Sequence, residues 1–177
     1  MSKSKKTKNN STIFLSLISS LSAVVAIVMM FLPAYVLKIS TVLTGESVKQ
    51  YSLFDLTFGC DVTTNSDGNK VVCVGLLIGF IALCLAGLLM LVNMVLAGSK
   101  AKKGTVVLLS LLSFLLAGAA GVLFFMTLKL TGLSTGTTDL YLVKGTAALG
   151  VGVYLAGAIA IVSALFALIT AVAKLAK

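Results

Sequence analysis

Three cysteines (Cys60, Cys73 and Cys84) and five carboxylates (Glu46, Asp55, Asp61, Asp67 and Asp139) are the side chains of this sequence best equipped for chemistry, and there is no histidine. Hydrolysis within a membrane needs an Asp pair, a Ser–His couple or a zinc ligand set in the apolar segments. Ion and proton transport usually places ionisable groups there as well. All five carboxylates instead fall between or beside the long apolar runs. The run Thr63, Asn65, Asp67, Gly68 has the rhythm of the first half of a calcium loop. Its twelfth position is Val74, however, where such a loop needs a bidentate Glu. No catalytic residue, metal site or cofactor is therefore expected. What remains is a cysteine pair. Cys60 and Cys73 flank Ser66-Asp67-Gly68-Asn69, and Asp-Gly favours a tight turn. Counting outward from that turn brings the two nearly opposite each other, which predicts a hairpin closed by a disulfide in an oxidising compartment. Cys84, inside an apolar run, reads as a small packing residue.

The elements that must carry these residues are dominated by lipid-like composition. Of 177 residues, 59% are hydrophobic and 11% charged, and the mean hydropathy is +1.13. A soluble domain is about half apolar and about a quarter charged, so water cannot be the main solvent of this chain. Four stretches reach the roughly 20 apolar residues that a membrane-crossing helix requires. They are 13–37, 71–97, 105–128 and 147–173. The first apolar run is too long for a cleaved signal peptide, so a retained helix is expected, with Pro33 kinking only its last turn. The fold class predicted is an all-α membrane protein, a four-helix transmembrane bundle with a small extracytoplasmic β-hairpin or sheet cap.

Orientation follows from the lysines. Every basic residue is Lys, and the net charge is +9. Lys3, Lys5, Lys6 and Lys8 precede the first run, Lys100, Lys102 and Lys103 lie in the loop 98–104, and Lys174 and Lys177 follow the last run. With four crossings, all these fall on one side, which the bias of basic residues assigns to the cytoplasm. Lys38, Lys49, Lys70, Lys129 and Lys144 fall on the other side, balanced by the five carboxylates. The basic charge is thus a topology signal, and no nucleic-acid partner is expected. A cytoplasmic tail 1–12, a single four-span domain 13–173 and a tail 174–177 result, in a plasma membrane. Lysine without arginine, histidine or tryptophan points to an AT-rich bacterial genome.

Helices in lipid pack through small residues. Ala148, Gly152, Ala156, Ala160 and Ala164 recur every fourth residue in the last run; Gly75, Gly79 and Gly87 mark the second, Ala117 and Gly121 the third. They suit an intramolecular bundle or contacts between copies. Asn93 could bond across helices or sit near the cytoplasmic interface. In the outer segments, 38–70 and 129–146, residues 39–43 and 48–53 alternate as a hairpin around Thr44-Gly45-Glu46, and the second segment, with its short apolar run 140–143, could pair with the first as an added strand. Tyr51, Phe54, Phe58 and Tyr141 could form a partner surface or anchor these segments at the membrane interface.

Four spans, cytoplasmic termini and a larger first outer segment with strands and a cysteine pair resemble claudins and related tetraspan proteins. Phe54 to Cys60 and Cys73 occupy the region where claudins carry a Trp-Gly-Leu-Trp-Cys-Cys pattern, here with no Trp and a wider Cys spacing. The resemblance implies a left-handed bundle whose outer sheet self-associates or binds neighbours. It carries no ion-selectivity residues across. The expected function is a non-enzymatic membrane scaffold that presents a disulfide-closed outer face to like copies, as a homo-oligomer, or to another membrane protein. The competing expectation is a small oligomeric channel or transport accessory subunit.

Overall fold

A computed structural model describes residues 2–41, 45–63, 70–99, 102–140 and 143–176. Helix α1 runs Ser2–Met29, and its apolar part, Asn10–Met29, is long enough to cross a membrane. It stops eight residues before the end of the apolar run. Pro33 lacks an N–H and disfavours helical geometry at Leu32. The chain leaves the helix through three tightened turns, in which the N–H groups of Met30, Phe31 and Leu32 donate to carbonyls three residues back at 3.1–3.2 Å. It then enters strand β1, Pro33–Thr41. The expected helix to residue 37 is thus corrected, since residues 33–37 pair as strand.

Strand β2, Gly45–Ser52, returns antiparallel to β1, with Lys38 opposite Val48. Ser52 and Asp55 then form a reciprocal cap, in which the Asp55 N–H donates to Ser52 Oγ (3.0 Å) and the Ser52 N–H to Asp55 Oδ2 (2.9 Å). This starts the short helix α2, Leu53–Phe58. Helix α3, Val74–Gly98, and helix α4, Lys103–Phe125, are the second and third long helices. The third run was expected to stay helical to residue 128. It breaks at Met126, which joins α4 to helix α5, Thr127–Thr131.

Strands β3, Gly136–Leu140, and β4, Val143–Leu149, precede the last helix, α6, Val151–Leu175. β4 pairs with β1 over Tyr35↔Leu149 to Thr41↔Val143. The two outer segments thus form one antiparallel sheet in the order β2-β1-β4-β3. The second outer segment joins the first as expected, through β4, which begins at Val143. Ala148 is corrected by this register: it lies in β4 opposite Val36, not on the helical stripe. An apolar run that passes from strand to helix has one hydropathy, and only the pairing partner decides where it changes.

The four long helices form a ring in which α1 and α4 each pack on both α3 and α6. Ala117, Ala156, Ala160 and Ala164 are buried at these crossings, together with Gly79, Gly87, Gly121 and Gly152. Gly121 lies so close to α6 that a Cβ would stand 3.1 Å from the Gly157 carbonyl oxygen and 2.8 Å from an Ile161 carbon. Gly75 is only half-buried, against Leu130 of α5.

Buried hydroxyls link the ring. The Ser19 hydroxyl donates to the Ser163 carbonyl (2.8 Å) and the Ser163 hydroxyl to the Ser19 carbonyl (2.7 Å), a reciprocal clamp between α1 and α6. Ser113 donates to the Ala86 carbonyl (3.0 Å), tying α4 to α3. Asn93 takes the first of its two expected roles, donating to Ser110 Oγ at 2.6 Å.

Candidate functional site

The sheet and the segments around it form one end of the molecule, opposite the end that carries both termini. This cap gathers most of the residues expected to do chemistry or bind partners. Phe54 and Phe58 lie one turn apart on α2, and the Phe54 N–H donates to the Met30 carbonyl (3.0 Å), fixing α2 beside the end of α1. Phe54 stacks on Phe31 with ring centroids 4.9 Å apart, and Phe80 of α3 meets Phe54 and Phe58 edge-on at 6.3 and 6.0 Å. Offset and edge-to-face pairs of this kind add modestly to area burial. Phe31 and Phe58 keep an exposed side, so the cluster is a rim surface as well as a packing unit. Phe31 and Phe80 were absent from the sequence-derived partner surface. Phe31 lies just past the end of α1 and Phe80 two turns into α3, and nothing local signals that these segments converge on α2.

Tyr51 is not part of that cluster. It is half-buried on β2, and burial, followed by the nearby Asp61 carboxylate, raises its phenol pKa, with Lys70 opposing. Tyr141 lies outside the described residues, as does the turn 66–69.

The expected disulfide is absent: Cys60, Cys73 and Cys84 are all free thiols. The arms around the turn do meet, since the Val71 N–H donates to the Thr63 carbonyl (2.7 Å) and the Cys73 N–H to the Thr57 carbonyl (3.0 Å). That register sets Cys73 opposite Thr57, not Cys60. Residues up to Phe58 are coiled in α2, which shortens one arm and defeats a residue count made for two extended strands. Cys60 is buried in the core, its N–H donating to Thr63 Oγ1 (2.9 Å). The Cys73 thiol points to the Leu130 carbonyl (3.5 Å) on α5. Beside it lies an open cleft of about 380 Å³ between Val62–Thr63, residues 71–75 and Leu130–Thr131. The Asp61–Lys70 pair (3.2 Å) on the same segment is exposed on both sides, where ion pairs contribute little.

Cys84 lines a shallow apolar groove of about 280 Å³ between α1 and α3, where Ala23 meets Gly87. Among the described residues, no three of His, Cys, Asp and Glu are grouped to hold a metal ion.

Tyr35 joins the two outer segments. Its side chain is buried and its hydroxyl donates to the Ser134 carbonyl (3.0 Å). Tyr35→Phe should lower stability by about 1 kcal/mol, read as a drop in melting temperature in micelles. Burial raises the phenol pKa. The tyrosine's contribution is therefore complete below the ordinary phenol value of about 10 and lost as pH rises through the higher folded value. Alkaline melting should thus be steeper for the wild type than for Tyr35→Phe.

The fold and cap define a class: a four-helix bundle, with helices long and apolar enough to cross a membrane, closed at one end by a four-stranded antiparallel sheet. No family model matches the chain, and no curated protein matches it.

Proposed function

We propose that the chain is a non-enzymatic, multi-pass membrane protein that works by interaction, docking like copies or another membrane protein through its sheet cap. In this reading both termini and the loop 98–104 are cytoplasmic, because nine lysines and no acid share that side. The cap then faces outward, in the manner implied by the claudin resemblance. The observation that carries the proposal is the open edge of the sheet. Among the described residues β2 pairs only with β1, and six of its eight residues are exposed. A free strand edge offers unpaired N–H and C=O groups, which a partner can satisfy by strand addition. The neighbouring phenylalanine rim supplies apolar area beside that edge.

The test is photo-crosslinking in native membranes with a photoreactive amino acid in place of Val48, an exposed residue of β2. A discrete adduct is expected, either at twice the chain mass or with one membrane partner. The same group at Leu115, on the lipid-facing side of α4, should give only diffuse lipid adducts. A discrete adduct from position 115 and none from position 48 would overturn the proposal.

A further inference from the structure

The interior of the bundle changes character along its length. Toward the sheet it is filled by large apolar side chains, Met30, Leu53, Leu56, Leu76, Leu83 and Phe124, all fully buried. Toward the termini polar and small residues join Met90 and Val106 in the buried positions. Thr12 and Ser16 of α1, Asn93 of α3, Ser110 of α4 and Thr170 of α6 are all 0% exposed.

Among the described residues, three atoms of this layer have no partner: Thr12 Oγ1, Ser16 Oγ and Asn93 Oδ1. The orientation of the Asn93 amide follows from its neighbour. The Ser110 hydroxyl has one proton, which it donates to the Val106 carbonyl (2.9 Å), so it must accept from Asn93 Nδ2. Oδ1 is therefore the free arm of the amide, turned away from Ser110. The helix register puts the orphaned atoms in adjacent turns, Ser16 close to the depth of Asn93 and Thr12 one turn nearer the termini. Gly87 faces Ala23 and Gly98 faces Ile13 along the α1–α3 contact, which brackets Asn93 opposite the turns containing Ser16. The Ser19–Ser163 clamp sets Thr12 level with Thr170 in the same way.

A buried hydroxyl or amide oxygen without a partner forfeits its hydration and gains no hydrogen bond in return. Three in one layer would be a heavy burden for a bundle that gains little from hydrophobic contrast. Buried polar groups of this kind are met by water, which needs two to four polar partners and some room. Ala97 lies one turn from Asn93, and Ala167 and Ala171 lie level with residues 12–16, so the walls are small. A cation would fit the all-oxygen donor set, but among the described residues no buried carboxylate is present to balance it.

We propose that this layer is a hydration site, in which bound water bridges Thr12, Ser16 and Asn93 and joins α1 to α3 at the end that carries the termini. The outer half of the bundle stays dry. The site stands independently of the docking role assigned to the cap.

Radiolytic labelling of the intact protein in ¹⁸O water tests it, because hydroxyl radicals made from bound water oxidise the nearest methionine. Two fully buried methionines serve as paired reporters: Met90, whose Sδ lies 4.0 Å from Asn93 Nδ2, and Met30 in the apolar half. Met90 should take up label several-fold faster than Met30 in the wild type. The double variant Ser16→Ala, Asn93→Leu should reduce Met90 labelling to the Met30 rate. Equal rates in the wild type would overturn the proposal without any variant having to fold. Met90 labelling that persists in the double variant would overturn the assignment to these side chains.

Discussion

Gly152→Ala should be among the most damaging single-methyl changes in the chain, with Gly150→Ala at least as severe. A Cβ at position 152 would stand 2.5 Å from the Leu32 carbonyl oxygen and 3.0 Å from that of Pro33, and one at position 150 would overlap the Pro33 carbonyl. A flexible side chain could swing aside, but these are backbone atoms in the segment that turns α1 into β1. The Gly150 N–H also donates to the Ala34 carbonyl (2.9 Å), at the last rung before α6 begins. An added methyl must therefore push α6 off the α1–β1 corner or pull Leu149 out of its pairing with Tyr35. Overpacking of this sort costs about 1–3 kcal/mol, and rigid backbone on the receiving side puts both variants at the upper end. Unfolding in micelles measures it, with Gly104→Ala as the control. Position 104 has open space for a Cβ and sits in the first turns of α4, where Ala is the better helix former. A Gly152→Ala protein within about 0.5 kcal/mol of wild type, the range of an inert surface change, would contradict this account of the corner.

The second large effect is expected at Phe124, the largest fully buried side chain among the described residues. Its ring approaches α3 so closely that a Cβ on Gly79 would stand 3.1 Å from Cε1. In water, Phe→Ala costs about 3–5 kcal/mol through lost transfer energy plus the cavity left behind. Lipid is itself apolar, so most of the transfer part disappears for a membrane protein. The packing part remains, which gives an expectation of about 2–3 kcal/mol, set by dispersion contacts that nothing replaces. Leu115→Ala, on the exposed side of the same helix, should change stability little. Pairing supplies a sharper check. Gly79→Ala should be destabilising alone and close to neutral, or stabilising, in the Phe124→Ala background, because its methyl then enters vacated space. Simple additivity of the two changes would show that Phe124 and Gly79 do not share the contact.

These two sites show different degrees of legibility. Gly79 and Gly152 stood out in the sequence as members of small-residue rows, and both are buried at close approaches, Gly79 against the Phe124 ring and Gly152 against the Leu32–Pro33 backbone. Their partners did not stand out. Nothing local marks Phe124 as the ring that fills the Gly79 notch, or Pro33 as the carbonyl that presses on Gly150. Ala148 belonged to the same fourfold row as Gly152 and yet lies in a strand, because β1 claims it. The cysteines fail for a related reason: a residue count across a turn assumes two extended arms, and the Ser52–Asp55 cap coils one of them.

Four long apolar elements, the sorting of lysines to one side, and the absence of charge inside the runs were all determined by the sequence alone, since each is a sum over neighbouring residues. The tertiary structure decided where each run changes from helix to strand, how the two outer segments join into one sheet, which phenylalanines meet, and which buried oxygens are left unpaired. Those are properties of pairing between residues distant in the chain. Hydropathy cannot carry them, because an apolar residue has the same transfer energy in a lipid-facing helix, a helix crossing or a covered strand.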